Sequence, residues 1–268
     1  MKSAIMLPGL PLIFDGMFRT AFRWLWVFTL ATIILPILVG AGLAYGRGWP
    51  ESWRSAAWTS SGLLPEASAV EGARVIIIAA RTGCWKSIFA EHMSIILKPD
   101  GAEDWTRYEV VGWGNPVRRN AYAADAHWYG NRPYVVAEIE GSQAADLIPR
   151  IEKAIAAYPH QGRGTYTVWP GPNSNTFIAW VVRNTEGFDV ELPPAAVGKD
   201  YLGNGFGVAS AASGTGFVIS AWGVFGLTAA LREGLELNIL GGTIGIDPDD
   251  LAIKLPALGK LSLLDALD

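Results

Sequence analysis

The chain has 268 residues, enough for one domain of ordinary size with a substantial appendage. Half of its residues are hydrophobic and only 17% are charged, against about 25% in a typical soluble domain, which excludes intrinsic disorder and argues against a wholly soluble protein. A net charge of −4 leaves no basic excess for nucleic acid, and the single cysteine, Cys84, excludes an internal disulfide framework, a cysteine-rich zinc site and an iron–sulfur cluster.

The first element in chain order is a run of 23 uncharged residues from Trp24 to Gly46. As a helix it spans about 34 Å, sufficient for a hydrocarbon core of about 30 Å. Trp24, Trp26, Tyr45 and Trp49 stand at its ends, where aromatic rings favour the headgroup region, and Pro36 is expected to kink it. We read residues 24–46 as a transmembrane helix. Lys2, Arg19 and Arg23 before it outweigh Arg47 and Arg54 after it, so residues 1–23 are expected in the cytoplasm and the bulk of the chain outside it. The competing reading is a signal peptide cleaved near Tyr45, for which both the leader and the apolar run are long.

Residues 47–72 supply turn chemistry without periodicity and read as a linker. Strands are expected at Arg74–Arg81, His92–Lys98, Tyr108–Trp113 and Tyr134–Ile139. A helix bent at Pro149 should follow from Ser142 to about Tyr158. A strand at Thr165–Trp169 should then enter a Pro/Gly/Asn turn, with a helix opening near Asn175. Phe206–Leu231 is free of charge, but five glycines weaken a helical reading. Together with the alternating Leu235–Ile239 it reads as a Gly-rich β extension over 203–268, with a second membrane span as the alternative.

The string WPGPNSNTF (Trp169–Phe177) places Ser174 where a turn opens a helix, near backbone N–H groups able to stabilise an oxyanion. Serine needs a general base, and His92 at the start of a strand is the candidate, with Tyr108 or Glu109 to orient the imidazole. Asn173, Asn175 and Trp169 are the candidate substrate-binding neighbours. The alternative reading makes Asn173–Thr176 ordinary helix caps. His127 and His160 read as loop residues, and the histidine spacing supports no metal site. No cofactor motif is present, since GNGFG (Gly203–Gly207) lacks the dinucleotide spacing. The tryptophans read as interfacial and core residues.

The strings WPGPNSNTF, GKDYL (Gly198–Leu202), EGLELNILGGTIGID (Glu233–Asp247) and KLPALGK (Lys254–Lys260) resemble a bacterial membrane-protein family known only as a domain of unknown function. More distantly, HMSIIL followed much later by NSNTF is similar to the circularly permuted NlpC/P60 papain-like proteins, with Ser174 in the position of their cysteine. That resemblance implies an α+β fold of permuted papain-like type over 73–202, an antiparallel sheet with packed helices. The function expected is a membrane-anchored envelope module whose cleft binds lipid, peptide or a membrane partner without turnover. A Ser–His acyl or amide hydrolase or transferase is the alternative.

Overall fold

The computed structural model describes residues 10–263. The lysine at position 2, used above for orientation, and the end of the β extension (264–268) lie outside the described residues. A long helix opens the described chain: α1 (Leu10–Thr29), a π-helical turn (Leu30–Ile34) and α2 (Leu35–Arg47) run on without a break. The helix therefore begins well before Trp24; Pro11 sits in its first turn, where a missing N–H costs nothing. The π-turn ends two residues before Pro36, whose ring would otherwise meet the carbonyl of Thr32. Its stretch Arg19–Arg47 is long and apolar enough to cross a membrane. Most of its large apolar side chains are exposed, but Pro36, Gly40 and Ala44 form a small buried stripe at four-residue spacing.

The central domain is a five-stranded antiparallel sheet in the order β4 (Val117–Arg119), β3 (Thr106–Val110), β2 (Glu91–Lys98), β1 (Arg74–Arg81), β5 (Tyr134–Glu140). Both faces of β1 and β2 are buried, which accounts for the continuous RVIIIAAR run. Val75, Ile77, Met93, Ile95 and Leu97 face α3 (Gly141–Ala156) and α4 (Ser174–Arg183) in the main core. Ile76, Ile78 and Ile96 face the other way, onto Leu63, Leu64 and Trp105. Part of the linker thus forms a layer of the domain. Asp125 holds it there, accepting from Leu63 N at 2.7 Å and from the Ser61 hydroxyl.

Pro149 lies inside α3 without ending it. One local expectation differs. Thr165–Trp169 is not a strand; its Thr167 N–H closes onto Pro172 O at 2.8 Å, in the Pro/Gly/Asn turn that follows it.

The C-terminal extension is a seven-stranded antiparallel meander: β6 (Phe206–Ser210), β7 (Gly216–Ala221), β8 (Phe225–Ala230), β9 (Gly234–Ile239), β10 (Gly242–Asp247), β11 (Ala252–Leu255) and β12 (Gly259–Ser262). The charge-free stretch from Phe206 is thus β-structure. Its polarity is inverted. The face turned to the domain carries Thr228, Glu236, Asn238, Asp247 and Lys254, all buried, while Val208, Phe217, Leu235, Leu237, Ile246 and Ile253 on the other face are exposed.

Candidate functional site

β2 and β3 pair only between Ile95↔Tyr108 and Leu97↔Thr106, so they separate toward the start of β2. The N-terminus of α4 fills that gap. Asn175 completes the open edge of β2 as a missing strand would: its Nδ2 donates to Glu91 O at 2.8 Å and its Oδ1 accepts from Met93 N at 3.2 Å. Nδ2 also donates to Val197 O at 2.9 Å. Asn173 caps the helix, accepting from the backbone of Asn175 and Thr176, while the Thr176 hydroxyl accepts from Asn173 N in a reciprocal capping box. Asn173 Nδ2 meanwhile donates to Val168 O and Val197 O. Both asparagines are buried and fully engaged in structure. Trp169 stands apart, half-exposed, its Nε1 donating to Leu240 O in the C-terminal sheet.

His92 lies between the two β2 groups that Asn175 holds. Its Nε2 is 2.8 Å from Glu109 Oε2, and that oxygen also accepts from Arg107 at 2.8 Å. Burial lowers the His92 pKa, which outweighs the pull of Glu109 toward the charged form. Burial alone would raise Glu109, but its hydrogen bond with His92 and the Arg107 guanidinium hold it below the usual carboxylate range. The pair is therefore neutral imidazole beside ionised carboxylate, with Nε2–H as the donor. Among the described residues no hydrogen bond reaches Nδ1, which is left as an acceptor. Glu109 is thus the residue joined to His92. Tyr108 points to the other face of the sheet, toward Arg119 and Glu152.

Ser174 is the first residue of α4 and is buried. Its hydroxyl lies beside that of Tyr166, whose phenol is pushed up to about 12, chiefly by burial. The Tyr166 ring occupies the space beside Gly112, 2.9 Å from where a Cβ would stand. His92 and Ser174 are therefore brought to the same end of β2, with Glu109 bonded to Nε2 of the one and Tyr166 lying beside the hydroxyl of the other.

Residues that sequence reasoning did not single out complete the site. Trp128 lies flat on the His92 ring and packs edge-on against Trp58, Tyr122 and Tyr129. Trp53, Trp58, Trp113, Tyr122 and Tyr129 wall a cavity of about 620 Å³ beside this stack. Three tryptophans expected in core or interface thus line a hollow. DAHWYGNRP (Asp125–Pro133) carried the only signal, an aromatic pair inside a turn-rich segment. Glu109 Oε1, Arg107 Nε and Trp128 Nε1 are buried without a hydrogen-bond partner among the described residues.

Three of the four strings that carried the family resemblance, GKDYL, EGLELNILGGTIGID and KLPALGK, meet in a second place. Lys199 contacts Glu236 at 2.7 Å and Asp200 at 3.1 Å; Lys254 contacts Glu236 at 2.8 Å and Glu191 at 2.7 Å. Lys260 reaches Asp247 at 2.7 Å and also Asp250. Glu191, Asp247 and Asp250 cluster closely enough for a cation, but the two lysine ammonium groups already supply the positive charge. These residues join the C-terminal sheet to the central domain.

No curated protein and no solved structure matches the chain. Residues 72–201, the central domain that carries His92, Glu109 and Ser174, match the family described as "Protein of unknown function (DUF3750)".

Proposed function

We propose that this protein is a single-pass inner-membrane module, with its bulk in the periplasm, that binds a lipid or lipid-like envelope ligand without turning it over. The carrying observation is the aromatic cavity. Five large rings line an open hollow of about 620 Å³, and two of them, Trp53 and Trp58, belong to the linker that follows Arg47 at the end of the apolar helix. Trp53 stands six positions after Arg47, at most about 20 Å of extended chain, so the cavity opens within reach of the headgroup layer. Cavities of this size and lining take small amphiphiles. Beside it, the unpartnered Glu109 Oε1 and Trp128 Nε1 offer an acceptor and a donor to a polar headgroup.

Non-catalytic binding is favoured by the engagement of Ser174 with Tyr166 and its burial. The observation that favours hydrolase or transferase chemistry is the His92–Glu109 pair, a neutral imidazole with Nδ1 available as a base near a helix-opening serine. The resemblance to permuted papain-like proteins rests on the strand histidine and the later helix-opening NSNTF motif, with Ser174 in the position of their cysteine.

The test is photo-crosslinking of the full-length protein in nanodiscs doped with a diazirine phospholipid, read at the peptide level. Labelling of the peptides containing Trp58, Trp113 or Tyr122, lost in Trp58→Ala/Trp113→Ala, is the expected result. Labelling confined to residues 19–47 overturns lipid binding in the cavity. A fluorophosphonate adduct on Ser174, absent in His92→Ala, would establish the catalytic reading instead.

A further inference from the structure

We infer that the outer face of the seven-stranded sheet is a lipid-contacting surface, laid into the headgroup–acyl boundary beside the anchor helix. The inference rests on reading Arg19–Arg47 as a membrane span, and adds to it a second region of membrane contact.

Three observations converge. The strand registers place Val208, Ile219, Leu227, Leu237 and Ile244 in one row across five strands, and Phe217, Leu235, Ile246, Ile253 and Leu261 in another. Among the described residues this face has no charged side chain, and Ser210 at its margin is its one polar one. An apolar surface of that extent is not a feature of an isolated soluble domain. The opposite face, held to the domain, carries the ion pairs, so the sheet cannot bury its apolar face by turning over.

The ends of the sheet differ as well. At one end the turns carry Trp222, Leu240 and Ala257 and no charge; at the other they carry Arg232, Glu233, Asp249 and Asp250. The anchor meets the uncharged end. A Cβ on Gly40 would stand 2.6 Å from the Ala257 Cβ, so helix and turn are in close contact, and Gly40 also faces Ile88 O.

The helix supplies a depth scale. Gly40 lies seven residues inside Arg47, about 10 Å along the axis. With Arg47 at phosphate level, the Ala257 turn reaches the outer edge of the acyl region. That is the depth at which apolar faces of membrane-surface elements settle. Lipid is thereby favoured over a second copy of the chain as the occupant: the contact with the anchor already holds one end of the sheet at the membrane. The open edges of β6 and β12 preclude crossing the hydrocarbon, because unpaired backbone groups would be stranded there. Lying with one face on lipid avoids this.

The test uses full-length protein in nanodiscs, in a Cys84→Ser background, with spin labels introduced singly by Leu237→Cys, Ile253→Cys, Leu38→Cys and Glu103→Cys. These four positions are exposed, so labelling leaves the core intact. Collisional relaxation by oxygen and by a water-soluble nickel complex is measured at each. At Leu237 and Ile253 oxygen should dominate, as at Leu38, with the ratio inverted relative to Glu103. Nickel access at Leu237 and Ile253 while Leu38 remains lipid-embedded overturns the inference and leaves the anchor standing. Nickel access at Leu38 removes the anchor and the inference with it. Shielding of Leu237 and Ile253 from both reagents overturns lipid contact in favour of a protein partner, and dipolar broadening between labels would identify that partner as a second copy.

Discussion

His92 lies flat against Trp128, ring centroids 3.6 Å apart and planes within 4°. The contact covers one face of an imidazole whose edge is held by Glu109, so packing and hydrogen bonding fix the ring in a single orientation. Trp128 is therefore a structural determinant of His92 and belongs at the same time to the aromatic cluster of the cavity.

Trp128→Ala should return water to the imidazole. Desolvation is the main reason that the His92 pKa lies low, so the pKa should rise toward the ordinary value of about 6.5. Histidine NMR titration reads this directly. The lost volume should also destabilise the domain by about 3–5 kcal/mol. Trp128→Phe keeps a ring on one face and should show a smaller shift of the same sign.

Stability should depend on pH through His92. Its folded-state pKa is depressed, so the unfolded chain takes up the proton first. The stabilisation is complete above the unfolded value, about 6.5, and is lost progressively as pH falls from there toward the folded value. Burial depresses His160 in the same direction, whereas Glu91 is raised by burial and contributes the opposite slope at acid pH. The diagnostic quantity is consequently a difference. Thermal melts of His92→Gln should show a shallower loss just below pH 6.5 than the unmodified chain, and His160→Gln a smaller change.

Asn175 ties the N-terminus of α4 to β2 through two hydrogen bonds to the strand's backbone. Asn175→Ala leaves Glu91 O, Met93 N and Val197 O without this partner, at about 1–3 kcal/mol for each group left buried. Asn175→Asp retains the acceptor for Met93 N but sets an anionic oxygen against two carbonyls. Its carboxyl pKa should rise in the folded state, so the variant should lose stability as pH rises and regain it in acid. Denaturant titrations at two pH values separate the variants.

The ion network beneath the C-terminal sheet gives a prediction of opposite kind. Lys254 is fully buried, with Nζ held by Glu236, Glu191 and the Glu233 carbonyl. Lys254→Met leaves buried carboxylates undercompensated and should cost about 3–5 kcal/mol. Adding Glu236→Gln removes one of those charges and should restore part of the loss. Hydrogen exchange should show the deficit in β9–β11 before the central sheet.

Much of this architecture is legible in the sequence where local pattern and burial agree. RVIIIAAR forms β1 with those limits because helices cover one face and the linker the other, which is what an unbroken β-branched run requires. LELNI displays its alternation equally plainly, yet a period of two residues defines two faces without saying which is inside. Here the polar face is inside, because Glu236 and Asn238 find Lys199, Lys254 and Asp200 on distant segments. The TYTVW segment reads as a strand from composition, but Tyr166 turns inward to Ser174 and no neighbouring strand pairs with it. The aromatic cavity was equally hidden, since its walls come from residues separated by up to 76 positions, Trp53 to Tyr129.

Ser174→Cys tests whether the helix mouth can activate a nucleophile. The α4 N-terminus favours thiolate, and His92 Nδ1 can accept the proton if the rings allow approach. Tyr166 limits access, because its hydroxyl meets that of Ser174 and its ring is held beside Gly112. In a Cys84→Ser background, Ser174→Cys alone should react slowly with a maleimide. Adding Tyr166→Ala should accelerate it and move the pH midpoint of reactivity below about 8.5, the value of an ordinary thiol. His92→Gln in that double variant should return the midpoint upward. A midpoint unaffected by His92→Gln would mean that the imidazole does not reach the helix mouth, and Ser174 would then be a capping-turn residue whose hydroxyl serves only to hold Tyr166 over the site.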